Sequence, residues 1–319
     1  MAKIKRDPSG LIAQFIVDPL DRLQRKVPPA GFAVAVFKRF SEDRGPQYTV
    51  LLTYYGFFSL LAMLLVLGTV SATILANDPD IRQEVIESIT STLPVTGEAV
   101  AINVGRLHGS GIALAVGLLL VAWSGLGVVN QAQDAFNAMW GVPLHCGPNI
   151  WKRVTKSVTV LGVVGVVLVA LTAGGPILSA LSLGWFQTIF AGLGTVIINS
   201  AALLVCIKLL TNKTFEIRIL LPGAIGGGLS LALLQFFGTW YMTKVLADAD
   251  ALYGTFAVAI ALLIWIGLQA RIILMANTIN LVLAKHLWPR SLSGRNLTEA
   301  DQAALSQQNH YNDPTQPCP

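Results

Sequence analysis

Apolar residues in this chain fall into six long runs that are separated by shorter polar stretches. The runs cover residues 48–75, 109–130, 157–180, 186–210, 221–246 and 254–284. Each is close to or above the about 20 apolar residues that a helix needs to cross the hydrocarbon core of a bilayer. Because a lone span must satisfy its backbone hydrogen bonds internally, such runs indicate helices. The pattern predicts an all-α polytopic membrane protein with six transmembrane helices.

The third and fourth runs are separated only by a short uncharged stretch. It contains Gly174-Gly175-Pro176 and Gly184. Glycine and proline in such a stretch favour a turn over a continuous helix. We therefore predict two spans joined by a tight hairpin at this point.

Composition supports a membrane protein. Of the 319 residues, 54% are hydrophobic and 12% are charged, about half the charged share of a soluble domain. The net charge of +5 comes from basic residues spread between the apolar runs. They form no basic patch with interleaved aromatic residues, so we expect no nucleic-acid partner. The three widely spaced cysteines indicate neither a disulfide framework nor a zinc site.

Basic residues lie mostly on one side of the predicted membrane. The side that holds the first residue carries 18 of the 22 lysines and arginines, whereas Arg82, Arg106 and Lys244 lie on the other. That other side carries seven acids: Asp78, Asp80, Glu84, Glu87, Glu98, Asp248 and Asp250. Loops rich in lysine and arginine face the cytoplasm. We expect both termini to be cytoplasmic.

Three segments outside the spans complete the predicted organisation, in which residues 48–285 form the transmembrane domain. Residues 1–47 form a cytoplasmic segment with interfacial amphipathic helices, since apolar positions such as Phe32, Val36 and Phe40 repeat at helical spacing. Packing of these helices against the bundle itself is an equal alternative. The outer loop 76–108 is expected to contain a short helix, and the polar tail 286–319 is expected to be disordered.

Arg271 is the most conspicuous polar residue inside a predicted span. A charge at the centre of a span costs roughly 2.5–3.5 kcal/mol on insertion scales. Thr278 lies within about 20° of its helix face, whereas Gln269, Asn277 and Asn280 lie roughly opposite. These two polar stripes predict either a hydrated path through the bundle or, for Arg271, a side chain that reaches the headgroups.

A second polar face lies at the cytoplasmic end of the second span. Asn130, Gln133, Asp134 and Asn137 recur at the spacing of one helix face. This face fits the mouth of a substrate path, or a helix that emerges into water. Asp134 is the natural partner of a nearby arginine or lysine.

Glycines open the fifth span. Gly223 and Gly227 have the small-xxx-small spacing that lets two helices approach closely. We favour this packing role over a broken helix at a binding site.

Several kinds of catalytic site are absent from the sequence. The four histidines are scattered over loops and tail, and no pair has the spacing of metal ligands. No carboxylate cluster could hold two metals for phosphodiester hydrolysis, and there is no nucleophile elbow. We expect neither an enzyme, nor a metal site, nor a cofactor.

Short motifs along the chain resemble the YihY/BrkB family of bacterial inner-membrane proteins. They are Phe37-Lys38-Arg39-Phe40-Ser41-Glu42-Asp43-Arg44, Tyr54-Tyr55-Gly56-Phe57-Phe58-Ser59-Leu60, Trp123-Ser124, Phe136-Asn137-Ala138-Met139-Trp140-Gly141, Leu221-Pro222-Gly223-Ala224, Tyr253-Gly254-Thr255-Phe256-Ala257 and Leu263-Ile264-Trp265. Their order and spacing cover residues 30 to 285. Two departures limit what the resemblance implies: Ala62 replaces a proline, so no kink is carried over to the first span, and Met275-Ala276-Asn277 replaces a Gly-Ala-Glu run, so no carboxylate role is carried over to the sixth. Arg271 resembles the polar chemistry of a YhjD-like subgroup.

The resemblance implies a six-helix protein of the bacterial plasma membrane that is linked to the envelope and to export or flipping of lipid-like molecules. Our leading hypothesis is a transporter-like protein whose partners are membrane lipids and a lipid-like substrate. The alternative is a non-transporting scaffold for envelope maintenance. The older ribonuclease label of the family has no support in these residues.

Overall fold

The structure, a computed structural model, describes residues 27–74, 111–142, 150–180, 186–213, 215–253, 255–291 and 298–312. These residues form helices and, within the described ranges, no strand, which confirms the all-α prediction. The helices are α1 Pro28–Glu42, α2 Gly45–Ile74, α3 Gly111–Met139, α4 Ile150–Ala180, α5 Phe186–Leu210, α6 Ile217–Tyr253, α7 Thr255–Ala284 and α8 Glu299–Asn312.

Six of these helices are long and apolar enough to cross a membrane. The spans are Gly45–Val66, Ala115–Met139, Trp151–Leu171, Ile189–Leu210, Ile217–Gly238 and Val258–Ala284. Each overlaps one of the six apolar runs of the sequence, so the prediction of six membrane-spanning helices is confirmed. The third and fourth spans belong to separate helices, but α4 continues through Gly174-Gly175-Pro176 to Ala180, so the predicted turn is wrong at this motif. Gly184, the other part of the predicted turn, lies outside the described residues.

The six spans form a closed bundle in chain order. Each of α2 to α7 packs against the next helix, and α7 returns to α2. Contacts of α3 with α5 and with α7 cross the interior. One end of this bundle, where α2, α4 and α6 begin and α3, α5 and α7 end, also carries α1; we call it the α1 end.

Most of the buried core lies at the α1 end. Phe136, Met139, Leu220, Leu274 and Leu281 are among its almost fully buried side chains. Elsewhere the spans expose leucine, valine, isoleucine and phenylalanine on their outer faces. This distribution suits a bundle in lipid, because apolar side chains lose nothing by facing acyl chains, whereas the water-exposed end needs an enclosed core.

Helix α1 packs on α7 and α2 rather than standing apart. Val36 and Phe40 are buried against the bundle, whereas Phe37 is exposed. Packing of this helix against the bundle is therefore observed for the face with Val36 and Phe40, and contact of the outer face with a membrane stays a prediction. The helices expected before residue 27 and in the loop 76–108 lie outside the described residues.

The tail differs from its expectation of disorder, because residues 299–312 form α8. Thr298 and Asp301 start this helix as a capping box: the Asp301 amide donates to Thr298 Oγ1 (3.2 Å), and the Thr298 amide donates to Asp301 Oδ2 (3.1 Å). Ala300 and Ala304 are buried. The polar composition of the tail hid these local signals.

Candidate functional site

A groove of about 400 Å³ lies between α2 and α3 on the side of the bundle. We call it the lateral groove, and it is lined by Tyr54, Tyr55, Phe58, Leu61, Ala62, Leu65, Leu120, Trp123 and Ser124. Trp123 is 79% exposed and Tyr54 56% exposed, so the groove opens to the surroundings of the bundle. Its walls are aromatic and aliphatic, and only three lining side chains carry a hydroxyl.

Glycines of α3 set the position of the groove. Gly127 leaves room for the Tyr55 ring, since a Cβ there would lie 2.7 Å from it, and Gly117 leaves room for Val66. With α2 and α3 drawn together in this way, Tyr55 forms one wall. The Tyr54 ring lies 4.7 Å from that of Phe58, between centroids, and continues the aromatic surface.

The groove lies along the membrane-spanning part of α2. Tyr54 and Leu65 are separated by about 16 Å along the helix. A hydrocarbon core is about 30 Å thick, so the groove extends over half of it. The Ser124 hydroxyl donates to the Leu120 carbonyl (2.6 Å) and is thereby satisfied. Within the described residues, the Tyr54 and Tyr55 hydroxyls make no hydrogen bond, so both can bind a polar group of a ligand.

The polar face predicted on α3 contacts α4 instead of lining the groove. Arg153 Nε donates to Asn130 Oδ1 (2.9 Å), and Arg153 Nη2 donates to both carboxylate oxygens of Asp134 (2.8 Å each). Gln133 is buried and donates through Nε2 to Ser157 Oγ (3.0 Å). The arginine partner expected for Asp134 is therefore Arg153, and these contacts join the second and third spans.

Asn137, the last member of that face, binds the end of α5. Its Oδ1 accepts from the Asn212 amide (2.8 Å), and its Nδ2 donates to the carbonyls of Gln133 (2.7 Å) and Leu210 (3.4 Å). The face is therefore used for contacts between helices, although the Arg153 and Asp134 side chains stay 33% and 41% exposed. Its hydrogen bonds hold three helices together at the α1 end.

Asn277 and Asn280 join α7 to two neighbours and are fully buried. Asn277 Oδ1 accepts from Trp140 Nε1 of α3 (2.9 Å). Asn280 Oδ1 accepts from the Gly223 amide of α6 (2.7 Å), next to Pro222, which has no amide hydrogen to donate. Asn280 Nδ2 and Gln133 Oε1 have no partner among the described residues.

Arg271 and Gln269 lie apart from these contacts. Arg271 is exposed on the outer side of α7, with its Cζ 6.0 Å from the centroid of the Phe40 ring of α1. Gln269 is half-buried. Thr278, predicted to share the face of Arg271, is fully buried beside Met139 of α3, and its hydroxyl donates to the Leu274 carbonyl (3.0 Å). The residues proposed to line one path thus occupy separate surroundings.

Gly223 and Gly227 lie at the contact of α6 with α7. A Cβ on Gly223 would meet the Ala276 carbonyl oxygen, and one on Gly227 would lie 2.6 Å from the Ala276 Cβ. Helix α6 is continuous from Ile217 to Tyr253, with Pro222 inside it. The geometry at both glycines is that of close helix packing.

An ion cluster at the α1 end joins α1 to the segment after α7 and to α8. We call it the α1–α8 ion cluster, and it contains Lys38, Arg39, Glu42, Asp43, Arg290 and Asp301. Asp301 accepts from Lys38 Nζ (2.9 Å) and Arg290 Nε (2.8 Å). Arg290 also binds both oxygens of Glu42, and Arg39 binds Asp43 (2.7 Å). Sequence reasoning missed the cluster because its partners are about 250 residues apart.

Two carboxyl groups of this cluster have shifted pKa values. Burial raises the pKa of Asp43 to about 7, although Arg39 beside it acts to lower that pKa. Burial acts to raise the pKa of Asp301 too. Hydrogen bonds from Lys38, Ser291, Arg290 and Thr298 outweigh it and hold that pKa well below the ordinary value. Among the described residues, no three histidine, cysteine or acidic side chains are grouped as metal ligands.

Comparisons with known proteins place this architecture in a family. An uncharacterized protein of Dickeya dadantii is 24% identical over 157 residues, which cover 47% of this chain and 45% of that protein. A UPF0761 membrane protein of Chromobacterium violaceum is 23% identical over 257 residues, covering 77% of this chain and 60% of that protein. The chain therefore spans less than two thirds of either relative. No solved structure matches.

The family model described as Virulence factor BrkB matches residues 36–299. This range contains all six spans, the lateral groove and the second half of α1. It agrees with the resemblance that the sequence motifs showed. This chain is a six-helix membrane protein that belongs to the BrkB virulence factor family.

Proposed function

We propose that this protein is a transporter-like membrane protein that moves a lipid or another amphipathic envelope molecule. The lateral groove is the observation that carries the proposal. It is an apolar, aromatic-walled groove that opens sideways from the bundle, where an acyl chain can enter from the bilayer without crossing water. Tyr54 and Tyr55 supply hydroxyls to a polar part of the same molecule.

The packing on the two sides of the groove supports this assignment. At the α1 end, hydrogen bonds join α3 to α4 and to the end of α5. We call this joined region the base of the bundle. The groove lies beyond this base, between helices whose outer faces are exposed. We place the protein in the bacterial inner membrane with both termini in the cytoplasm. We further propose that it acts without catalysis or a cofactor, so that a gradient, a partner or downhill movement drives transfer.

Reconstitution into liposomes with fluorescent phospholipids tests the proposal. Transfer between leaflets is measured by quenching of the outer leaflet, with protein-free liposomes as the baseline. Ala62→Phe fills the floor of the groove, because Ala62 is almost buried there, and it should bring transfer close to the baseline. Trp123→Ala removes one wall and should slow transfer.

A matched control is Phe236→Ala. Phe236 of α6 is 72% exposed but does not line the groove, so this variant should transfer lipid like the wild type. Wild-type transfer at the baseline would remove the transport proposal and favour the scaffold. Groove variants as active as the wild type would show that transfer uses another route.

A further inference from the structure

Arg271 is a charged residue on the outside of a membrane span. It lies in the span Val258–Ala284 and is exposed. Within the described part of the chain, Arg271 makes no ion pair and no hydrogen bond. Its Cζ lies over the Phe40 ring, 6.0 Å from the ring centroid. A guanidinium in this setting is costly unless an anion or water reaches it.

The helices around Arg271 place it near the edge of the lipid-facing surface. Helix α7 becomes enclosed from Ala276 onward, where Asn277 and Thr278 are fully buried. Arg271 precedes Ala276 by about 8 Å along the helix. Its contact with Phe40 brings the guanidinium to α1, which packs over α7 at this level. Phospholipid headgroups lie at such a boundary, and long basic side chains extend toward them.

The acidic side chains at the end of α1 already accept hydrogen bonds from other cations. Glu42 accepts two hydrogen bonds from Arg290, and Asp43 accepts one from Arg39. The charge of Arg271 is therefore not balanced by these acids. Since no acid of the described residues pairs with it, Arg271 is free to bind an anion from its surroundings.

Apolar residues extend from Arg271 along the same face of α7. Leu268, Ile264 and Ile260 precede it at helical spacing, and all three are exposed. This stripe continues away from the α1 end and can hold an acyl chain, while Arg271 holds the headgroup. The surface thus has the polarity of a phospholipid: a cation at one end and an apolar stripe behind it.

We propose that Arg271 binds the phosphate of an anionic phospholipid whose acyl chain lies along Leu268, Ile264 and Ile260. The guanidinium fork fits two phosphate oxygens, and the lipid belongs to the leaflet that contacts α1. This site is separate from the lateral groove, because α7 contributes no residue to that groove. The assignment does not depend on transport.

Native mass spectrometry of the full chain released from detergent micelles tests the site. Samples are supplied with phosphatidylglycerol or with phosphatidylcholine, and bound lipid is counted. The wild type should retain phosphatidylglycerol in preference. Arg271→Gln should reduce its retention about ten-fold or more, the effect of losing a charged hydrogen-bond pair. The variant removes a charge from an exposed surface, so it should fold.

Arg218→Gln is the matched control, since Arg218 is also exposed near the α1 end, on α6. It should retain phosphatidylglycerol like the wild type. Equal losses in both variants would show general surface attraction and overturn the site, as would full retention by Arg271→Gln. A wild type without a preference for phosphatidylglycerol would also overturn the lipid site. Displacement of phosphatidylglycerol by millimolar inorganic phosphate would overturn it too, because the site would then bind free phosphate.

Discussion

Asp301 shows how a single carboxylate orders the end of the chain. It is 1% exposed and binds Lys38 of α1 and Arg290 of the segment after α7. A buried ion pair adds little net stability, but removing one partner leaves an uncompensated charge that costs about 3–5 kcal/mol. Asp301 also caps α8. We therefore infer that its ion pairs with Lys38 and Arg290 fix the position of α8 and add little to the stability of the whole protein.

Asp43 predicts a dependence of stability on pH. Burial keeps this carboxyl protonated in the folded protein up to about pH 7, whereas its ordinary pKa is 3.8. The folded state therefore binds more protons than the unfolded chain between about pH 4 and about pH 7. The free energy of unfolding should fall as the pH rises through this window. Thermal unfolding in detergent, followed by tryptophan fluorescence across the window, measures it.

Asp43→Asn provides the control, because an amide cannot ionise. Its unfolding temperature should change less with pH than that of the wild type between about pH 4 and about pH 7. Identical slopes for the two proteins would contradict the assignment to Asp43. Below about pH 4 both should lose stability, because the low pKa of Asp301 makes its charged form the stabilising one.

At the scale of elements, α7 is the helix around which the α1 end is built. It contacts α1, α2, α3 and α6. Its asparagines bind α3 and α6, and its small Ala276 faces Gly223 and Gly227. Polar residues inside a span are expensive unless they are satisfied, and here the Oδ1 atoms of Asn277 and Asn280 accept hydrogen bonds from neighbouring segments, while Asn280 Nδ2 has no partner among the described residues.

Gly223→Ala should weaken the contact of α6 with α7. A Cβ at this position would meet the Ala276 carbonyl oxygen and the Asn280 side chain that binds the Gly223 amide. The backbones cannot both stay in place, so we expect a loss of about 1–3 kcal/mol, as for overpacking in a core. Thermal unfolding in detergent measures the change.

Gly226→Ala is the matched control on the same helix. The nearest atom to its added Cβ, Ile279 Cδ1, lies 3.9 Å away, so the methyl group fits. Because alanine favours a helix over glycine by about 1 kcal/mol, this variant should be as stable as the wild type or more so. A Gly223→Ala protein as stable as Gly226→Ala would show that α6 and α7 tolerate a wider separation.

Long apolar elements could be predicted from the sequence, whereas contacts between distant elements could not. The six spans follow from hydrophobic run length alone. The polar face of α3 could be predicted from residue spacing. Its contact with α4 could not, because it depends on where the fold places Arg153. Helix α8 was missed because its capping box lies in a polar segment and because no local pattern connects Asp301 to Lys38 and Arg290, which fix the position of the helix. The lateral groove was missed because aromatic residues of a span have no periodic signal.

At the scale of the whole molecule, charge and packing are distributed along the same axis. The α1 end holds the buried core and the α1–α8 ion cluster. The sequence predicts that most of the lysines and arginines lie on this side of the membrane and that the acids of the loop 76–108 lie on the other. Since positive loops stay in the cytoplasm, the α1 end is expected to face it, and an anionic lipid at Arg271 would then belong to the inner leaflet.

Labelling of single cysteines tests this orientation in a cysteine-free background. Ser306 lies exposed on α8, so Ser306→Cys should react with a membrane-impermeant maleimide in inverted membrane vesicles and not in intact spheroplasts. Ser91→Cys, in the acidic loop, should show the opposite pattern, and detergent should make both thiols reactive. Reaction of Ser306→Cys in spheroplasts would place the α1 end outside the cell, and the basic loops would then contradict the charge rule. The lipid at Arg271 would in that case have to come from the outer leaflet.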